Sequence, residues 1–268
     1  MSILSNNRFL QRVNPEIVRA RTDAGTSLVS DHAVIQPLMR QMVDLGIADN
    51  LKVWVHSGLV DTRTSGSDLF IPKAYDISGE ENDAVQATND NQPKLVSDGM
   101  EFPASNYLLQ TSYDNGTELS SPFTATLWIN TLYTSATEAF IIRSWDAGSN
   151  NRCWAILVSS SQLSIAHSND GLPRAGNIVG DLGIISGVGW THIALTYNNS
   201  RFFPYINASP IDDYDVGALH NPGTNAPLQI GALRYEGFLN DARFFNTPIS
   251  STQIASIYNS TKGYYGIT

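Results

Sequence analysis

Apolar and polar positions alternate along most of the chain. From about residue 101 the runs "FTATLWINTLY", "AFIIRSW", "CWAILVSSSQLSIAHS", "WTHIALTY", "FFPYINAS", "PLQIGAL" and "GFLNDARFF" are apolar or period-two. Between them lie "DAGSNN", "SNDGLP", "NNSR" and "NPGTNAP", which carry the Asn, Gly and Pro of tight turns. Short strands at this spacing, with no helical crossovers between them, predict a mainly β chain folded as an antiparallel β-sandwich of jelly-roll type. The front differs. In "SDHAVIQPLMRQMVDLGI" the residues Val34, Ile35, Leu38, Met39, Met42, Val43 and Leu45 recur at three- and four-residue spacing, one stripe of a helix. Ser30 or Asp31 can cap it and Gly46 can stop it, while Pro37 suits only a first turn and so predicts helix from about Ile35. Residues 1–60 are therefore expected to be a partly helical attachment segment and 61–100 a polar connector, with edge strands at "LFI" and "KLV"; the sandwich takes 101–268. Near the end, Ser250 or Ser251 can cap a short helix bearing Ile254, Ile257 and Tyr258.

Composition narrows the function. Only 15% of residues are charged, against roughly 25% in an average globular chain. The net charge of −9 excludes nucleic acid as the main partner, because phosphate binding needs clustered Lys and Arg. Residues 1–22 carry Arg8, Arg12, Arg19 and Arg21 against Glu16, a balance of +3, so the remainder stands at −12. Such a basic arm could dock on an acidic neighbour, or simply be solvated. Cys153 is the single cysteine, so neither an intrachain disulfide nor a thiolate zinc cluster can form, and its apolar setting predicts a buried inert thiol. No run of 18 apolar residues offers a membrane span, and "MSILSNNRFLQRV" lacks the apolar core of a cleaved leader, which sets the expectation of a cytoplasmically made protein with no membrane insertion.

Two resemblances enter on particular residues. Trp190 and His192, Tyr205 to Asn207, Leu228 to Gly231 and Asp241 to Arg243 follow the order of the C-terminal half of a laminin-G/concanavalin A-like lectin domain. The resemblance covers roughly 101–262. It departs at Ala208 and Ser209, where glycine usually turns the chain, and at Pro204, which implies an edge or a kink. At the front, "AGTSLVSDHAVIQPLMRQMVDLGI" and "KAYDISGEENDAVQATNDNQPKLV" are similar to the N-terminal part of tailed-phage structural proteins that carry such a domain, with a "YD-S-G-x-x-NDA" connector.

The resemblance also says which chemistry to look for. Polysaccharide-cutting members of the fold place carboxylates as Glu-x-Asp-x-x-Glu on one strand, whereas the seven Glu here are scattered at 16, 80, 81, 101, 118, 138 and 236. Asp212 with Asp213, or Glu236 with Asp241, could still meet in space at the roughly 5 Å a retaining glycosidase needs. His32, His56, His167, His192 and His220 show no metal or triad spacing. No cofactor is expected, except that the resemblance implies a rim calcium ion at Asp146, Asn150 and Asp170, where turn stabilisation is the commoner role. For glycan binding, an aromatic platform beside amides and carboxylates, the loop-adjacent residues are Trp145, Asn169, Asp170, Asp213, Tyr214 and Tyr235.

The resulting expectation is a non-enzymatic virion protein, a capsid decoration, tail or fibre component assembled in the host cytoplasm and placed on the outer surface of the particle. It would hold other virion proteins through its N-terminal segment and associate as a homo-oligomer, because an apolar helix stripe needs covering. Its sandwich would adhere to host-surface glycans. The alternatives are a polysaccharide-degrading enzyme of the same fold and a purely structural spacer.

Overall fold

The N-terminal helix spans His32–Asp44, three residues longer at its start than the proline suggested, with Pro37 inside it. Pro37 is exposed, so the carbonyl it frees on Ala33 faces water while Ile35, Leu38, Met39 and Met42 are buried on the other side. Packing outweighs the lost bond. Gly46 ends the helix at φ 70, with Gly46 N–H donating to Val43 O (2.9 Å) and Ile47 N–H to Met42 O (3.1 Å), the paired bonds of a Schellman stop. The structure, a computed structural model, describes residues 28–268 apart from 31, 104–106, 115, 147–149, 173–177, 180–181 and 224–225. The basic arm of residues 1–22 and the Asp31 cap lie outside the described residues.

Among the described residues, eleven strands of five residues or more make two sheets: β1 (Leu51–Ser65), β2 (Asp68–Asp76), β3 (Gly99–Pro103), β4 (Phe123–Thr131), β5 (Ala139–Asp146), β6 (Asn151–Ser159), β7 (Gln162–His167), β8 (Thr191–Asn198), β9 (Arg201–Ile206), β10 (Leu228–Ala232) and β11 (Glu236–Phe245). The first sheet runs β1, β11, β4, β8, β9, with β3 sharing the β11 edge: Glu236–Leu239 pair with 100–103 and Asp241–Phe245 with 51–56. The second runs β10, β5, β6, β7, lengthened by Leu109–Thr111 beside β10 and Ile178–Val179 beside β7. β2 pairs with β1, and the two-residue strand Ala84–Val85 pairs with both β2 and Leu109–Thr111, joining the sheets along one edge. These ladders are all antiparallel, so the chain is the expected β-sandwich.

Between the sheets lies one core, centred on Trp154 stacked with Phe123 at 4.6 Å and on Phe244. A second covers the outer face of the first sheet, where the N-terminal helix and the C-terminal helix Ser251–Thr261 bury Leu51, Trp54 and Phe245. The stripe Ile35, Leu38, Met39, Met42 is thus covered by the chain's own sheet and helix, and it supplies no reason for a sister subunit. The C-terminal helix carries a capping box, Ser250 with Gln253. Ser250→Ala is expected to lose about 1 kcal/mol of stability, read as a lowered urea midpoint with unchanged slope.

Neither boundary drawn from the sequence is a gap. β1 runs across residue 60 and β3 across residue 100, because "LKVWVHSGLV" is a strand seated between β2 and β11. "LFI" and "KLV" do form strand, in β2 and in Lys94–Val96. The "YD-S-G" connector is a buried turn. The Asp76 carboxylate accepts from the N–H groups of Trp54 (2.8 Å), Ser78 (2.9 Å) and Asn82 (2.9 Å) and from the Ser78 hydroxyl (2.6 Å). Asp83 accepts the Asp76 N–H (2.9 Å) and pairs with Lys73 (2.9 Å). At the β8–β9 edge, Pro204 sits in the strand next to the sheet's short outer strands. Asn207 and Ala208 form the two-residue turn with φ 50 and 63, alanine occupying a glycine conformation.

Candidate functional site

Several loops meet at one end of the sandwich. The β5–β6 hairpin, the turn after β7, the β8–β9 turn and residues 211–223 are tied by specific bonds. Arg152 donates from its backbone N–H (3.4 Å) and from Nη1 (3.1 Å) to Gly171 O, and from Nη1 to Asn150 Oδ1 (3.2 Å). Asn169 Nδ2 donates to Val216 O (2.8 Å), His220 N–H to Ser168 O (2.8 Å), and Tyr197 OH to Gly217 O (3.0 Å). Gly171 has φ +79, and a Cβ there would come within 1.9 Å of Asn150 O, so only glycine lets the two loops approach.

This end gathers all but one of the residues singled out by sequence. Trp145 is half-buried, 6.0 Å from the Phe140 ring and with the Arg152 guanidinium 5.8 Å over it. Asp146 and Asn150 follow on the same hairpin, with residues 147–149 outside the described residues. Asn169 is exposed, and Asp170 closes its own turn by accepting the Leu172 N–H at 3.1 Å and the Ser168 hydroxyl at 3.4 Å. Exposed Asp213 pairs with Arg201 Nε at 2.8 Å, and that hydrogen bond holds its carboxyl below the usual range. Tyr214 is half-buried in a two-residue strand against β9.

Tyr235 is not part of the site. It stands at the opposite end, 1% exposed, against the Phe102 ring at 5.8 Å, its hydroxyl donating to Phe238 O at 3.1 Å. The connection before β11 is only Leu233–Tyr235, with Leu233 and Arg234 at positive φ, so Tyr235 directly precedes the strand and is buried with it. Of the two acid pairs, Glu236 and Asp241 are held apart. Asp241 is 3% exposed beneath the two helices, bound to Arg243 and to Trp54 Nε1, while Glu236 is exposed at the far end of β11. For calcium, Asp170 is engaged in its turn, and among the described residues no three His, Cys, Asp or Glu side chains are grouped to hold a cation.

Sequence reasoning missed the arginines beneath this end. Arg143 and Arg152 are 8% and 7% exposed on the second sheet. Arg143 Nε donates to Gln229 Oε1 at 2.8 Å, and its guanidinium lies 5.1 Å over the Phe140 ring. Gln229 Nε2 in turn donates to Gln110 Oε1 at 3.0 Å. The signal was present in "AFIIRSW", a charged residue within an apolar strand.

The chain is similar to the botulinum neurotoxin serotype D ligand binding domain in complex with N-acetylneuraminic acid, at 14% identity and a TM-score of 0.59, over 82% of this chain and 52% of that one. It is similar to the binding domain of Paraclostridial Mosquitocidal Protein 1, at 18% identity and a TM-score of 0.57, over 82% of this chain and 56% of that one. A Trypanosoma rangeli sialidase aligns at 12% identity and a TM-score of 0.55, over 86% of this chain and 39% of that one. The chain spans about half the length of the toxin domains it matches. No curated protein matches it. At these identities the likeness is one of fold, and it agrees with the family match: residues 102–255 fit the model of the laminin-G type described as concanavalin A-like lectin/glucanases superfamily, more than half of the chain, and the chain belongs to that superfamily.

Proposed function

We propose that the chain is a non-enzymatic adhesion component of a tailed-phage particle, holding surface glycans at the end of the sandwich that carries Trp145. The observation behind this reading is the convergence of Trp145, Asn150, Asn169, Asp170, Asp213 and Tyr214 on one knitted rim, with an aromatic face beside amide and carboxylate groups. Sugar rings stack on such a face while their hydroxyls find partners. Glu236 and Asp241 stand apart, the first exposed at one end of β11 and the second buried beneath the helices, which supports holding over cutting at that pair. Several structures of similar fold are named as binding domains.

The phage assignment is supported by the "YD-S-G-x-x-NDA" resemblance and by the arginines at 8, 12, 19 and 21, which would meet acidic sites on other virion proteins. Two measurements test the proposal. Purified particles should contain the chain by mass spectrometry and lose it when residues 1–27 are deleted. On a glycan array the intact protein should give saccharide hits that Trp145→Ala weakens at least ten-fold with an unchanged melting temperature. An array without hits removes the adhesive role.

A further inference from the structure

On the outer face of the second sheet, directly below the rim, Phe140 is touched by both Trp145 and Arg143. Around them Ala155, Leu157, Ala166 and Ala232 form a small apolar floor. A guanidinium in such a place is anomalous. Arg143 is 8% exposed, and among the described residues its hydrogen bonding is confined to Nε, which donates to Gln229, with none at Nη1 or Nη2. Nor are they sealed away, since the fully buried unpartnered side-chain atoms among the described residues are His167 Nδ1, His192 Nδ1 and Asn246 Oδ1. The outward edge of the guanidinium therefore reaches solvent while the rest is desolvated. Burial pushes Arg143 down to about 10, and Asp146 is the acid that opposes the shift. A desolvated cation with two free, parallel donors is a receptor for a planar anion.

We propose that Arg143 reads the carboxylate of an acidic saccharide through Nη1 and Nη2, with half-buried Trp145 as the stacking face and the Gln229–Gln110 amide pair for neighbouring hydroxyls. This rests on the adhesive reading of the rim and names its ligand class. The bound Nε fixes the plane of the fork, so the ligand meets donors already oriented and loses less freedom on binding. Asp146 competes with the ligand for the same cation.

The test is an array of uronate- and sialate-bearing oligosaccharides, each beside its carboxyl-reduced counterpart, with acetate as competitor. The intact protein should bind the carboxylated member of a pair at least ten-fold more tightly and lose that preference as salt is raised. Arg143→Gln should erase the preference while leaving the signal for reduced sugars, Arg143→Lys should recover part of it, and Asp146→Asn should strengthen the acidic members severalfold. Equal binding of carboxylated and reduced partners overturns the assignment while the adhesive reading stands. Silence across the whole array overturns both. If acetate displaces the saccharide as well as a free uronic acid does, the site is a bare anion pocket and the saccharide assignment falls. The carboxyl-reduction comparison uses the unaltered protein, so it holds even if an Arg143 variant fails to fold.

Discussion

Replacing Asp76 by alanine is expected to cost about 4 kcal/mol of stability, a large share of the 5–15 kcal/mol typical of a domain. The carboxylate is fully buried and takes four donors, three of them backbone N–H groups that nothing else can satisfy without moving β1 or the 77–83 turn. Each donor left unpaired costs on the order of 1–3 kcal/mol. At roughly 2–4 °C per kcal/mol for a domain of this size, the melting temperature should fall by about 10 °C. A loss under 3 °C would show that the turn re-forms without its centre.

Asp76→Asn separates charge from hydrogen bonding. Burial raises Asp76 to about 6 from an ordinary 3.8, against the hydrogen bonds that favour its ionised form. The folded chain therefore takes up this proton before the unfolded chain does. The contribution is present in full below about 3.8 and is lost as pH rises through about 6. The stability of the unaltered protein relative to Asp76→Asn should accordingly grow as pH is lowered from 7 to 4. His192 has the opposite sign. Burial, aided by nearby Arg243, lowers it from 6.5 to about 3, so its contribution is present above 6.5 and lost as pH falls. Over pH 4–6 the two groups oppose each other, which is why the comparison with Asp76→Asn is more telling than the acid limb of either protein alone.

Asp241→Ala is the second large effect, again about 4 kcal/mol, within the roughly 3–5 kcal/mol for breaking a buried pair. Arg243 is 1% exposed and gives Nε (2.9 Å) and Nη2 to Asp241, which also accepts from Trp54 Nε1 at 3.0 Å. Its Nη1 meets Met42 Sδ at 3.6 Å and its guanidinium lies 4.6 Å over the Trp54 ring. Without the carboxylate a cation is left beneath both helices. Urea unfolding should show the loss, and hydrogen exchange should quicken first in Ser251–Thr261, which rests on this layer. The double change Asp241→Ala with Arg243→Met should recover much of it, because no buried cation is then left and only Trp54 Nε1 loses its acceptor. A single variant as stable as its parent would mean that the helices are held by apolar contact alone.

Much of this architecture was readable along the chain because its causes are local. Period-two alternation and Asn/Gly turns mark β4 to β11, and the three- and four-residue stripe marks the N-terminal helix. Ser250 with Gln253 is a cap written in four consecutive residues. β1 was hidden because "LKVWVHSGLV" is nearly continuous in apolar residues, and such a run does not declare strand or helix by period. Its partner β11 lies almost at the other end of the chain.

Of the rim, the residue types and their neighbourhood of turns were legible, and folding brought seven of the eight candidates to one end. Tyr235 misled because the three-residue connection it closes is too short to form a loop, a matter of backbone geometry rather than composition. Arg143 was passed over for the opposite reason. Its meaning comes from Phe140 beneath it, from Gln229 86 positions away, and from Gln110 beyond that. Local pattern can specify which face of an element is apolar, since that depends on side-chain spacing alone. Which charges end up desolvated, and what they face, depends on sheets closing over long loops, and so only the folded chain sets it.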